Sequence, residues 1–241
     1  PAPAPEPSVG VAPVTRVQAT RLSGPAPLAV MFDATSTSAP TGINAFHGLT
    51  YEFDFGDNRG LNWAHSGRSK NTEVGGPLAA HVYDNPGTYT VRVRSRTATG
   101  GYSEATLTIT VQNPSDVFAG QNTLCVSTMA DYTGCPTGAA RVTGLPSSYA
   151  GKRVLLRRGE SFPTINIDRR DDQVIVGAYG SGAKPRVPAV NINTGQMGTN
   201  FADEITIMDL EITNGGIYHS DSGSRYLIYR NDLVSPSGNN R

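Results

Sequence analysis

The chain has 241 residues, with 20 basic and 20 acidic side chains and a formal net charge of zero. That balance argues against nucleic acid as a partner, because phosphate binding needs a concentrated surplus of Lys and Arg, and the lack of any 18-residue apolar run leaves no membrane span in the sequence. With 27 Gly, 17 Pro and only 17% charged residues, the composition points to an all-β chain of short strands and tight corners rather than a helical bundle.

The first eight residues alternate Pro with Ala and end in Glu6-Pro7-Ser8, a composition that gives an extended, polyproline-like arm. From residue 9 to residue 113 the pattern is β throughout. Strands are expected over residues 14–19, 28–34, 49–55, 88–96 and 106–111, separated by breakers such as Gly24-Pro25-Ala26-Pro27 and Asp84-Asn85-Pro86-Gly87. Tyr89, Val91 and Val93 alternate with Thr88, Thr90, Arg92 and Arg94, a period of two with one buried side. Leu107, Ile109 and Val111 repeat it. Two packed antiparallel sheets in about 100 residues are the natural solution.

Two separated motifs in this segment are specific. They are Phe53-Asp54-Phe55-Gly56-Asp57, and His81-Val82-Tyr83 followed by Asn85-Pro86-Gly87-Thr88-Tyr89-Thr90-Val91. Together they resemble the strand end and hairpin of the PKD (polycystic-kidney-disease) domain, an Ig-like β-sandwich. Phe53 stands where that family usually has Trp, and Asn58 replaces a second Gly. The resemblance implies a spacer or protein-binding module. Physically, Phe53 and Phe55 should fill the core between the sheets, Gly56-Asp57 should make a tight exit, and Pro86 should preset a turn.

Asp54 and Asp57 raise the question of a Ca²⁺ site, but residues 38–44, where calcium-binding relatives carry an acidic loop, contain no carboxylate. The reading therefore assigns both to turn capping and His81 to hydrogen-bonded packing, with no metal site and no cofactor. Between them, residues 58–71 form a polar, Gly-interrupted loop that holds the only Trp of the chain. Trp63 is either a lid on the local core or an exposed anchor for a partner or sugar ring. The partner-binding residues expected here are Arg59, Trp63, His65, Arg68 and Lys70.

Pro114 should end the sandwich, since it cannot donate to a sheet ladder and forces its predecessor out of helical geometry. In the remaining segment, 114–241, Cys125 and Cys135 flank a polar loop and form either a structural disulfide or two separate buried thiols; the disulfide is the reading adopted. Short apolar runs ending in Gly, Asn or Asp follow, at residues 153–162, 173–180, 204–214 and 226–234, recurring at about twenty residues. Units so short must stack on neighbours to bury a face. The strings Leu155-Leu156-Arg157-Arg158-Gly159-Glu160-Ser161-Phe162, Ala178-Tyr179-Gly180-Ser181-Gly182-Ala183-Lys184-Pro185 and Arg230-Asn231-Asp232 resemble the first coil, second-coil corner and a later Asn corner of a right-handed parallel β-helix of the pectate-lyase-like superfamily. About four coils are expected, truncated at residues 237–241, where no apolar capping helix closes the stack, so more chain or another body is expected to cover that end.

That superfamily holds many polysaccharide lyases and hydrolases, which work with paired carboxylates or a cation and a base on one outer face. Asp168, Asp171 and Asp172, with Arg169 and Arg170, read as a solvated connection between coils, and Asp209 and Glu211 are not expected to converge. No catalytic residue is assigned. The two resemblances together imply a non-catalytic attachment protein of a bacterial surface or phage virion. Its partner would be a surface or capsid protein, or a polysaccharide; the alternative is the N-terminal part of a secreted lyase or glycoside hydrolase.

Overall fold

The computed structural model describes residues 10–194, 201–220 and 223–234. The Pro/Ala arm of residues 1–8 and the terminal segment 237–241 lie outside the described residues. The chain divides into two compact units, Pro1–Asn113 and Pro114–Arg241.

The first unit is a β-sandwich. Its strands are β1 (Gln18–Ala19), β2 (Ser23–Pro25), β3 (Leu28–Asp33), β4 (Leu49–Asp54), β5 (Thr72–Gly75), β6 (Leu78–Tyr83), β7 (Gly87–Thr97) and β8 (Tyr102–Gln112). One sheet has the order β1-β3-β6 and the other β2-β8-β7-β4-β5. Alternation works as the pattern demands: Leu28, Val30 and Phe32 of β3 face Tyr51 and Phe53 of β4, Val91 and Val93 of β7 and Ile109 of β8 across one core, while Thr88, Thr90, Thr106, Thr108 and Thr110 point to water. Two expectations need correction. The sheets are not wholly antiparallel, because β2 joins β8 in parallel; the chain changes sheets at the Pro-rich breaker after β2, where Ala26 N–H donates to Gln112 C=O. The strand expected over residues 14–19 shrinks to β1 and a single bridge between Val14 and Ser38. Thr15 instead turns its hydroxyl inward, 2.6 Å from those of Ser95 and Ser103.

The second unit opens with a one-turn helix, α1 (Pro114–Val117), and continues through β9 (Thr123–Val126), β10 (Ala140–Val142), β11 (Arg153–Arg157), β12 (Ile165–Asp168), β13 (Val174–Tyr179) and β14 (Arg186–Val187). It ends with β15 (Val190–Thr194), β16 (Ile205–Met208), β17 (Glu211–Ile212), β18 (Ile217–His219), β19 (Leu227–Tyr229) and β20 (Asp232–Leu233). These fall into three sheets, β10-β9-β11-β13-β16-β19, β12-β15-β18 and β14-β17-β20, and every pairing within them is parallel. From β13 onward the chain visits the three sheets in rotation, so that each strand lies beside its counterpart one circuit later.

Register puts like on like. Leu124, Val154, Val176 and Ile207 occupy one column through β9, β11, β13 and β16, and all four lie in one core with Ile165, Ile167, Val190, Leu210 and Ile212. The corners repeat as well: Gln173, Glu204 and Arg225, each just ahead of a strand of the large sheet, all have positive φ, as do Asp209 and Arg230 behind those strands. Non-glycine residues adopt that conformation only where the surrounding hydrogen bonds over-determine it, and here successive corners bond to one another, Gln173 N–H to Asp203 C=O and Glu204 N–H to Ser224 C=O.

The twenty-residue spacing is corrected by this register. Val154 pairs with Val176, Val176 with Ile207 and Ile207 with Ile228, so the steps are 22, 31 and 21 residues. Nor is residues 153–162 the first rung: β9 lies on its outer side, and β10 lies beyond β9.

Candidate partner-binding loop

The loop after β4 is stapled at its base. Asp54 Oδ1 accepts the Gly56 N–H at 3.0 Å and the Asn71 Nδ2–H at 2.8 Å, Asn71 Oδ1 accepts the Asp57 N–H, and Phe55 N–H donates to Asn71 C=O at 2.9 Å. Both ends of the excursion are thereby held together. Gly56 has φ +70°, and a Cβ there would meet Thr90 O at 2.5 Å, so the tight exit from β4 requires glycine.

Asp57 does not cap a turn, as the sequence reading had it. Its carboxylate is buried and takes Nε and Nη2 of Arg59 at 2.7 and 2.6 Å, with His81 Nε2 at 3.0 Å. Arg59 also reaches Asp84 through Nη1 at 2.8 Å. Arg59 was expected to meet a partner; its guanidinium instead closes the loop's own base. The His81 ring lies on Phe55, centroids 4.6 Å apart, and facing an acceptor-only carboxylate its Nε2 carries the proton. Burial alone would raise the Asp57 carboxyl, but the hydrogen bonds from Arg59 and His81 and the charge of Arg59 outweigh it and hold it below the usual range. Burial pushes the His81 imidazole down, against the pull of Asp57, so the ring is neutral in the fold. The carboxylates of Asp54 and Asp57 are thus committed within the chain, and among the described residues no cluster of three or more His, Cys, Asp or Glu is placed to hold a metal.

Above this base the loop is a small hairpin. Asn62 and Ser69 bridge, Trp63 N–H donates to Arg68 C=O, Gly67 N–H to Trp63 C=O and Lys70 N–H to Leu61 C=O, each at 2.8 Å. Residues 61–68 are all exposed. Trp63 is 57% exposed, which removes the lid alternative: it takes no part in the core of the first unit, where Phe53, Phe55 and Tyr83 are buried. Lys70 Nζ lies 4.8 Å from the centre of the Trp63 ring. Arg68 and His65 sit on the exposed tip, beside Leu61. Trp63, His65, Arg68 and Lys70 therefore share one projection, and Arg59 lies at its root. Sequence reasoning missed Asn71 and Asp84, which hold that root; Asp84 registered only as part of a turn before β7, and nothing local marks either residue as a partner of the loop.

Residues 10–111 match the family model of the PKD domain. The match lies within the first unit and does not reach the second. Among solved structures the chain is similar to one on the promiscuous specificity of carbohydrate-binding modules from the β-sandwich superfamily, at 24% identity over 49% of this chain and 38% of that one, with a TM-score of 0.34. It is also similar to the PKD1 domain of the Vibrio cholerae metalloprotease PrtV, at 21% identity over 43% of this chain and 100% of that one, TM-score 0.30. The PKD domain of the human VPS10 domain-containing receptor SorCS2 aligns at 22% identity over 43% of this chain and 77% of that one, TM-score 0.30. No curated protein matches the chain significantly.

In the second unit the two thiols are bonded, Cys125 to Cys135. The loop between them lies on the outer face of the large sheet, where Tyr132, Cys135 and Ala139 pack on Cys125, Leu155 and Tyr179. Asp131 anchors it to Arg157 at 2.6 Å; the Thr133 backbone N–H and then Arg157 lower the Asp131 carboxyl to about 2. The carboxylates considered for catalysis are separately engaged. Asp209 pairs with Arg230 and Glu211 with Arg186. The stretch 168–172 is not simply solvated: Asp171 is buried and accepts from Ser148 Oγ, Ala150 N–H and Asp168 N–H, and Arg169 is buried with its guanidinium over the Phe201 ring.

Proposed function

We propose that the chain is an extracellular attachment protein that works on a cell or virion surface. In this reading the PKD domain is the partner-binding module, and the second unit is a right-handed parallel β-helix that serves as a rigid stem. The PKD family is typically extracellular, and a structural disulfide suits an oxidising compartment. Three parallel sheets visited in rotation, with aliphatic columns and repeated corner conformations, support the β-helix reading. The observation that carries the function is the exposed Trp63 on a hairpin whose root is clamped by Asp57, Arg59, Asp84 and Asn71. A folded domain keeps a large aromatic in water, at the tip of a pre-ordered loop, where contact with another body recovers its burial; such rigid aromatics and Arg dominate interfaces.

The test is Trp63→Ala in the full chain, with binding to intact cells or virions measured beside thermal unfolding. Attachment should weaken by about 2 kcal/mol or more, a factor of roughly thirty, while the melting temperature stays put. Unchanged attachment, or a loss explained by a lower melting temperature, would overturn the reading.

A further inference from the structure

Charge and size at the Trp63 hairpin narrow the partner. No carboxylate occurs anywhere in residues 58–72, whereas Arg59, His65, Arg68 and Lys70 all do. Arg59 is neutralised at the root by Asp57 and Asp84. Arg68 and Lys70 are not matched by any acid: neither makes a salt bridge among the described residues, and Lys70 holds its ammonium over the Trp63 ring instead. In a chain of zero net charge this tip is a local cationic patch around one aromatic ring and the half-exposed Leu61.

The footprint is small. A stable protein interface takes about 800 Å² and some 20–30 residues from each side; the tip offers the eight residues 61–68. A polysaccharide needs far less, a ring face on which a pyranose lays its C–H groups and a few polar groups to fix orientation. The negative face of the indole suits those C–H groups, and ammonium and guanidinium groups beside it suit a carboxylate on the same sugar. The amide and hydroxyl side chains of Asn62, Ser66 and Ser69 border the ring in sequence and supply hydrogen-bonding groups for sugar hydroxyls.

Resting on the attachment reading above, we propose that the Trp63 hairpin binds an acidic polysaccharide, with one uronate residue stacked on Trp63 and its carboxylate paired with Lys70 and Arg68.

Because Trp63 is the only Trp in the chain, its emission reports on this site alone. The full chain is titrated with oligogalacturonate and with alginate oligomers, and in parallel with neutral dextran oligomers and anionic phospholipid vesicles. The expected result is a blue shift or quenching with at least one uronate oligomer and none with dextran or vesicles. The effect should weaken as salt rises. Lys70→Gln and Arg68→Gln should each weaken binding about twofold to fivefold, with the melting temperature unchanged. An emission that ignores both uronates, or that responds equally to dextran, overturns the inference, and a response to the vesicles alone replaces it with a membrane surface. If the uronates do nothing but Trp63→Ala still abolishes attachment to cells or virions, the glycan inference falls while the attachment reading stands. If Trp63→Ala changes neither, both fall.

Discussion

Replacing Asp57 by Asn tests the clasp under the hairpin. The wild-type carboxylate is 3% exposed and receives hydrogen bonds from Nε and Nη2 of Arg59 and one from His81. The carboxamide would keep one acceptor but lose the charge and the bidentate geometry. Breaking a buried ion pair by removing one partner costs about 3–5 kcal/mol. The Arg59 side chain is 23% exposed and retains Asp84, so the lower end, discounted to about 2 kcal/mol, applies. In a unit of about 100 residues, that lowers the melting temperature by roughly 8–16 °C. Asp84→Asn, which takes the charge out of the contact with Arg59 Nη1, should cost about 0.5–1 kcal/mol. Calorimetry on the full chain reads the shift, and amide exchange over β6 and β7 assigns it to the first unit. The pH dependence is part of the same claim. His81 is held neutral with its pKa below the ordinary 6.5, so its contribution is complete above about pH 6.5 and declines below it, as the unfolded chain takes up the proton first. Asp57 lies below its ordinary 3.8, so its contribution is complete above about pH 4 and is lost as the pH falls further. Stability should therefore fall in two steps on acidification, and Asp57→Asn should shrink the second, to which Asp33 also contributes in the first unit. An Asp57→Asn protein that melts with the wild type across this range would refute the clasp.

Three further outcomes are expected. Alkylation without reductant should label neither Cys125 nor Cys135, and reducing the bond, which spans ten residues, should cost the second unit about 2–3 kcal/mol, read by denaturant unfolding with and without reductant. Gly56→Ala should destabilise the first unit by about 2 kcal/mol or more, because positive φ and a clash with the Thr90 carbonyl coincide, whereas Gly42→Ala, with φ +82° and nothing within 4 Å, should show only the left-handed backbone cost of about 1–2 kcal/mol; equal effects in thermal melts would mean that Gly56 is not sterically required. Residues 1–113 expressed alone should unfold in one cooperative transition, and a non-cooperative melt would defeat the boundary at Asn113-Pro114.

What the sequence determined by itself was whatever depends on near neighbours. The period of two in β7 and β8 set their buried faces, because alternate side chains of a strand leave opposite sides whatever the partner. The Phe53–Asp57 and His81–Val91 motifs carried the sandwich, since glycine at a positive φ and Pro at a turn are local demands. Short aliphatic runs broken at Gly, Asn and Asp identified segments that must stack, but the even interval of about twenty residues read from them did not hold. Partners distant in the chain were decided only by the tertiary structure. The 31-residue step between β13 and β16 was hidden because only the inward residues of a rung must match in register; the chain between rungs is free in length. The strand expected at residues 14–19 is mostly lost because Thr15 is drawn inward by Ser95 and Ser103, some 80 residues away. Within residues 58–71 the sequence singled out Trp63, His65, Arg68 and Lys70, which the structure places on one projecting hairpin. It could not separate them from Arg59, whose charge is claimed by Asp84 across 25 residues of chain, nor say that Trp63 faces water. Exposure depends on how the whole unit packs, and its core closes around residues such as Phe53 and Tyr83, brought together from two sheets, with Trp63 left outside it.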